Sequence, residues 1–119
     1  MFIKNTWYVA CTPEDIDGKP LGRKICGLPM VFYRGADGQP VALEDFCPHR
    51  GAPLSLGFCK DGNLVCGYHG LEMGCEGKTI AMPGQRVGGF PPIAKYAAVE
   101  HAGFIWVWPG DAPADHAAL

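Results

Sequence analysis

The sequence carries little charge and has no long uninterrupted apolar run. Charged residues make up 18% of its 119 residues, the net charge is -2, and lysine and arginine are scattered along the chain. A nucleic-acid surface or an anionic membrane would call for a basic stripe, and a bilayer span needs about 20 consecutive apolar residues. We therefore expect neither a nucleic-acid partner nor a membrane association.

The start of the sequence also lacks the pattern of a secretory leader. Residues 1–6 show no long apolar stretch after a basic start. The sequence thus predicts a cytoplasmic protein, in which thiols stay reduced. We expect four of the six cysteines to be reduced packing residues rather than disulfides: Cys11, Cys26, Cys59 and Cys75.

Long helices are excluded because 17 Gly and 11 Pro interrupt the chain. The apolar runs between them are short and rich in β-forming residues, which predicts strands at 30–34, 41–46, 64–65, 96–100 and 104–108. One helical turn is predicted at Thr12, where a capping residue precedes a proline. The size of 12.8 kDa allows one small domain. The predicted fold is all-β, made of small stacked antiparallel sheets.

Two short pairs of metal-binding side chains lie in the middle of the chain. Cys47 and His49 are separated by one residue, and Cys66 and His69 by two. Each pair offers one thiolate and one imidazole at the spacing of a tight turn, and each is predicted to lie at the tip of a β-hairpin. Two such turns facing each other can hold a metal centre between them.

Two cysteines and two histidines are the ligand set of a Rieske 2Fe-2S cluster. Cys47 and Cys66 would bind one iron as thiolates, and His49 and His69 would bind the other through neutral imidazole nitrogens. A Cys2His2 zinc site uses the same side chains, but zinc sites usually space their paired ligands by two or more residues. The sequence therefore favours the cluster, with a zinc-stabilised interaction module as the alternative.

This segment resembles the Rieske domain of Rieske non-haem iron oxygenases, whose pattern is C-x-H-R-G followed by C-x-x-H-G. All four ligand positions match. The flanking segments 7–10, 71–78 and 103–111 are similar to the oxygenase components of vanillate O-demethylases. The resemblance covers nearly the whole chain.

The resemblance also suggests roles for side chains beside the ligands. Arg50 is typical of the oxygenases and would fix the cluster loop or an acidic partner. Respiratory and photosynthetic Rieske proteins carry a disulfide at positions that look to be Ala52 and Tyr68, so that branch is disfavoured. The same branch has a hydroxyl donor where Leu71 stands, so we expect a potential toward the low end of the Rieske range. Pro83 would cover the cluster on its third side.

The resemblance implies that residues 1–110 form the Rieske domain and that 111–119 begin a linker to an absent catalytic domain. A mononuclear oxygenase iron needs two histidines and a carboxylate. The two remaining histidines, His101 and His116, lie in a predicted turn and a polar tail, and both are expected to be exposed. We therefore expect no catalytic residue in this chain.

The function implied is one-electron transfer, as the electron-entry domain of a monooxygenase that converts vanillate to protocatechuate and formaldehyde. A flavin and iron-sulfur reductase would donate electrons to the cluster. The acceptor would be a mononuclear non-haem Fe(II) in the catalytic domain of the same or a neighbouring subunit of a homo-oligomer. A stand-alone Rieske ferredoxin, a carrier with no enzyme of its own, is the alternative.

Overall fold

The computed structural model describes residues 3–48, 51–67, 70–84 and 90–119, and these ranges contain ten strands, three short 3-10 helices and no α-helix. The strands are β1 (Tyr8–Cys11), β2 (Leu21–Ile25), β3 (Leu28–Arg34), β4 (Pro40–Glu44), β5 (Phe58–Lys60), β6 (Asn63–Val65), β7 (Glu72–Met73), β8 (Thr79–Ala81), β9 (Lys95–His101) and β10 (Phe104–Trp108). The 3-10 helices are Pro13–Ile16, Leu54–Leu56 and His116–Ala118. The all-β prediction is confirmed.

The strands form two antiparallel sheets. The six-stranded sheet has the order β1-β10-β9-β4-β3-β2, and the four-stranded sheet has the order β5-β6-β7-β8. In β3, Met30 and Phe32 belong to one buried cluster, whereas Val31 and Tyr33 belong to another. This division follows from the two-residue period of a strand, which points successive side chains to opposite faces. The strand therefore lies between two cores.

The buried cluster that includes Val31 and Tyr33 joins the two sheets and contains both candidate cysteine ligands. It receives side chains from β3 and β4 on one side and Leu64 and Met73 of the four-stranded sheet on the other. Cys47 and Cys66 are buried in this same cluster. Tyr33 is also buried there, and its hydroxyl has no hydrogen-bond partner among the described residues. Burial raises the pKa of Tyr33, so the hydroxyl stays protonated.

The predicted helical turn after Thr12 is confirmed as the 3-10 helix Pro13–Ile16. The Asp15 carboxylate accepts hydrogen bonds from the backbone N–H of Thr12 at 2.9 Å and from its hydroxyl at 3.0 Å. These bonds hold the pKa of Asp15 below its usual range. The helix places Ile16 in the core enclosed by the six-stranded sheet.

The last residues of the chain pack against its N-terminal segment. The indole N–H of Trp7 donates to the carbonyl of Asp115 at 2.8 Å, and the N–H of Ala112 donates to Asn5 Oδ1 at 2.9 Å. His101 and His116 are both exposed, as expected. The assignment of residues 111–119 to a linker stays a prediction.

The four remaining cysteines carry no disulfide: Cys11, Cys26, Cys59 and Cys75. Burial raises the pKa of the Cys11 and Cys59 thiols, which keeps them protonated and suits a packing role. No helix within the described ranges has the length and apolar character needed to cross a membrane.

Candidate metal centre

The first cysteine lies in a turn that is closed by two backbone hydrogen bonds. The N–H of Gly51 donates to the carbonyl of Cys47 at 2.7 Å, and the N–H of Cys47 donates to the carbonyl of Ala52 at 2.8 Å. Gly51 has a φ of 76°, in the left-handed region that glycine adopts without a steric penalty. These bonds fix Cys47, Gly51 and Ala52 relative to one another.

The second cysteine begins a turn with the same bonds at the same spacing. The N–H of Gly70 donates to the carbonyl of Cys66 at 3.0 Å, and the N–H of Cys66 donates to Leu71 at 2.8 Å. Gly70 has a φ of 77°. The two cysteines are thus presented by matching backbone turns, although their histidines follow at different spacings.

Both cysteines enter one apolar cluster. Cys47 is 1% exposed and Cys66 is 2% exposed, and fully buried Leu54, Leu64 and Leu71 belong to the same cluster. The described residues bury no charged side chain there. A thiolate in apolar surroundings is costly unless a metal compensates its charge. Two buried cysteines on matching turns therefore fit one iron of a cluster held by two thiolates.

Four of the predicted site residues lie outside the described residues: His49, Arg50, Tyr68 and His69. The two imidazole ligands and the proposed roles of Arg50 and Tyr68 therefore stay predictions. Gly51 and Gly67, which border these positions, are exposed. The described residues thus place the cysteine end of each turn in the core and neighbouring glycines at the surface.

The two turns are attached to the fold in different ways. The second connects β6 and β7, which pair with each other, so it lies at a hairpin tip as predicted. The first was also predicted at a hairpin tip, but it connects β4 to β5, and these strands belong to different sheets. The difference arises because β4 pairs with β3 and β9, which leaves the first turn to bridge the sheets.

A glycine allows the segments that carry the two turns to approach each other. A Cβ atom on Gly57 would lie 1.8 Å from the carbonyl oxygen of Val65 and 3.0 Å from the N atom of Gly67. No side chain fits in that space. The segment that follows the first turn can therefore pack directly against the backbone of the second.

Two of the predicted neighbours of the cluster lie at the second turn. Leu71 is fully buried and accepts the N–H of Cys66 through its carbonyl. Pro83 lies over the turn, because a Cβ on Gly70 would be 3.3 Å from Pro83 Cγ. The structure thus brings Leu71 and Pro83 to the second turn, and their effect on a cluster stays a prediction.

One side-chain contact at the first turn was not predicted from the sequence. Both carboxylate oxygens of Asp45 accept hydrogen bonds from Ser55, at 2.8 Å from its N–H and at 2.6 Å from its hydroxyl. Asp45 stands two residues before Cys47, and this position was the only signal in the sequence.

Comparison with known proteins identifies the kind of domain to which these turns belong. Residues 6–97 match the family model described as Rieske [2Fe-2S] domain. The chain is 73% identical over 111 residues to the vanillate O-demethylase oxygenase subunit of Pseudomonas sp. strain HR199, which covers 93% of this chain and 31% of that protein. It is 45% identical to the oxygenase component of dicamba O-demethylase from Stenotrophomonas maltophilia, covering 99% of this chain and 36% of the relative.

A solved structure shows the same fold. The crystal structure of apo dicamba monooxygenase superimposes with a TM-score of 0.89 at 45% identity, covering 99% of this chain and 38% of the solved one. The chain thus spans about a third of the length of the relatives that it matches.

The glycine that closes the second turn provides a test of the site. We expect Gly70→Ala to lower the iron content of the purified protein, because the added methyl group meets Pro83 and the backbone φ is unfavourable for alanine. Gly103→Ala is the matched control, since Gly103 has a φ of 84° and open space around its missing Cβ.

Both variants should lose about 1 kcal/mol of unfolding free energy to backbone strain. Only Gly70→Ala should also lose iron, measured as iron per chain and visible absorbance. Equal iron content in the two variants would show that the turn geometry does not govern the site.

Proposed function

The chain belongs to the Rieske [2Fe-2S] domain family, and we propose from this premise that Cys47, His49, Cys66 and His69 bind its 2Fe-2S cluster for one-electron transfer. The observation that carries the proposal is the pair of matching turns, which bury Cys47 and Cys66 in one apolar cluster. The family supplies the identity of the cofactor. The four side chains are those that the sequence offers at these turns.

The proposal gives the cysteine and histidine ends different tasks. The two thiolates hold the inner iron, because Cys47 and Cys66 are 1% and 2% exposed. We assign His49 and His69 to the outer iron. Each stands two residues along the chain from an exposed glycine, Gly51 or Gly67, which supports an electron path through an imidazole at the surface. When bound, such a cluster accepts and releases one electron at a time. The role of the chain is then to insulate one end of it and expose the other.

The second turn bears on the reduction potential. Hydrogen bonds to the sulfurs of a cluster raise its potential, since they stabilise the more negative reduced state. Leu71 is fully buried and its side chain has no donor group. This supports a potential toward the low end of the Rieske range.

The relatives support a place for the chain in a larger enzyme. Both curated relatives described above are oxygenase components named as O-demethylases. The chain then serves as the electron-entry domain, residues 1–110, of a cytoplasmic monooxygenase that O-demethylates an aromatic substrate, with vanillate as the first candidate. Residues 111–119 begin the linker to the catalytic domain.

The partners proposed for this enzyme follow from the same resemblance. A flavin and iron-sulfur reductase donates the electrons, and a mononuclear non-haem Fe(II) in the same or a neighbouring subunit of a homo-oligomer receives them. The substrate-contacting residues then belong to the catalytic part of the protein, so this chain contributes electron delivery.

The ligand assignment is tested by Cys66→Ser. We expect this variant to lose the coloured cluster, because a serine hydroxyl is a poor ligand for iron compared with a thiolate. The measurements are iron per chain and visible absorbance of the purified protein. Cys59→Ser is the matched control, because Cys59 is half-buried against the same core but is not a proposed ligand. Full retention of iron in Cys66→Ser would refute the assignment.

The potential is tested by Leu71→Ser. The added hydroxyl can donate toward a cluster sulfur, so we expect a higher midpoint potential in a redox titration followed by visible absorbance. Leu64→Ser, another fully buried leucine of the same core, controls for the cost of a buried hydroxyl. An unchanged midpoint in Leu71→Ser would remove Leu71 as a determinant of the potential.

A further inference from the structure

A carboxylate spans the base of the first cysteine turn. Asp45 precedes Cys47, and Ser55 lies on the far side of the turn in the 3-10 helix Leu54–Leu56. Asp45 Oδ1 accepts the N–H of Ser55 at 2.8 Å, and Oδ2 accepts its hydroxyl at 2.6 Å. Both oxygens of one carboxylate are therefore used to join the two ends of a single loop.

Both ends of this contact are anchored in the fold. The N–H of Asp45 donates to the carbonyl of Pro29 in β3 at 3.0 Å. Ser55 follows Leu54, which is fully buried in the core between the sheets. The contact thus fixes the loop between β3 and that core.

The contact also packs tightly on β2. A Cβ atom on Gly22 would lie 2.7 Å from the hydroxyl oxygen of Ser55 and 3.1 Å from Asp45 Oδ2. Any side chain at that position would displace the serine hydroxyl. The glycine therefore leaves the space that the hydrogen bond occupies.

The first turn depends on such a contact more than the second does. The second turn is flanked by paired strands, with Val65 opposite Glu72 in the β6–β7 ladder. Its side-chain bond, from Asn63 Nδ2 to Glu72 Oε2 at 3.1 Å, adds to a ladder that already closes the loop. The first turn lies between strands of different sheets, so among the described residues no ladder joins its ends.

We infer that Asp45 is a positioning residue that, with Ser55, keeps the first turn closed around the cluster. The inference rests on the proposed function, because it assigns the turn to the ligands Cys47 and His49. Asp45 acts through the loop and is not itself a ligand. Loosening the contact should then make the protein release a bound cluster faster while the two sheets stay folded.

The test compares four substitutions in the cluster-loaded protein, one of which, Asp45→Asn, changes the carboxylate itself. Ser55→Ala removes the hydroxyl bond and keeps the backbone bond. Gly22→Ala displaces the serine hydroxyl without changing either partner. Asn63→Ala is the control, since it removes the corresponding side-chain bond at the second turn. Each is followed by the decay of visible absorbance in an iron chelator and by the electron paramagnetic resonance line shape of the reduced protein.

We expect Ser55→Ala and Gly22→Ala to lose the cluster on the order of tenfold faster than the parent protein, and Asn63→Ala less than about twofold faster. The resonance lines should broaden in the first two variants only, which a general loss of stability would not produce. Asp45→Asn, whose amide oxygen can still accept from Ser55, should lie between the parent and Ser55→Ala.

The outcomes separate this inference from the proposed function. If the parent protein binds a cluster and Ser55→Ala and Gly22→Ala lose it at the parent rate, the role of Asp45 is refuted and the proposed function stands. If the parent protein binds no cluster, both are refuted. If Asn63→Ala accelerates the loss as much as Ser55→Ala does, the special dependence of the first turn is refuted.

Discussion

The hydrogen bonds that close the two cysteine turns are the contacts on which the rest of the site depends. In each turn, the glycine four residues after the cysteine donates to the cysteine carbonyl, at 2.7 Å for Cys47 and 3.0 Å for Cys66. Each cysteine with a backbone closed in this way is buried in the core, and the described glycines Gly51 and Gly67 beside the turns are exposed. The asymmetric ligation that we propose, with thiolates inside and imidazoles outside, is a consequence of this geometry.

The two sheets form the packed scaffold that supports the turns. Val31 and Tyr33 of β3 face the core that contains the cysteines, while Met30 and Phe32 fill the core of the six-stranded sheet. The strand thereby couples a stable scaffold to a site built on loops. The second turn is flanked by a strand ladder, whereas the ends of the first are joined by the Asp45 carboxylate, which accepts from the N–H and the hydroxyl of Ser55.

The local sequence predicted strands that are marked by a continuous run of apolar, β-forming residues. The strand β10 was predicted at its observed bounds, because Phe104–Trp108 is a run of apolar β-forming residues. The strand β2 was missed because Leu21–Ile25 is half exposed and charged, and β7 was missed because Glu72–Met73 is defined only by its pairing. The spacing of the proposed ligands can be read from the sequence. The bonds that close the turns and the contact between Asp45 and Ser55 cannot, because they depend on the folded chain.

The measurement that tests the central claim most directly is electron paramagnetic resonance of the purified protein before and after reduction by dithionite, with iron and zinc assayed on the same sample. A 2Fe-2S cluster held by two thiolates and two imidazoles predicts a silent oxidised state, a rhombic Rieske-type signal on reduction and about two irons per chain. Zinc in place of iron, with no signal on reduction, would contradict the account and make the two turns a structural zinc site.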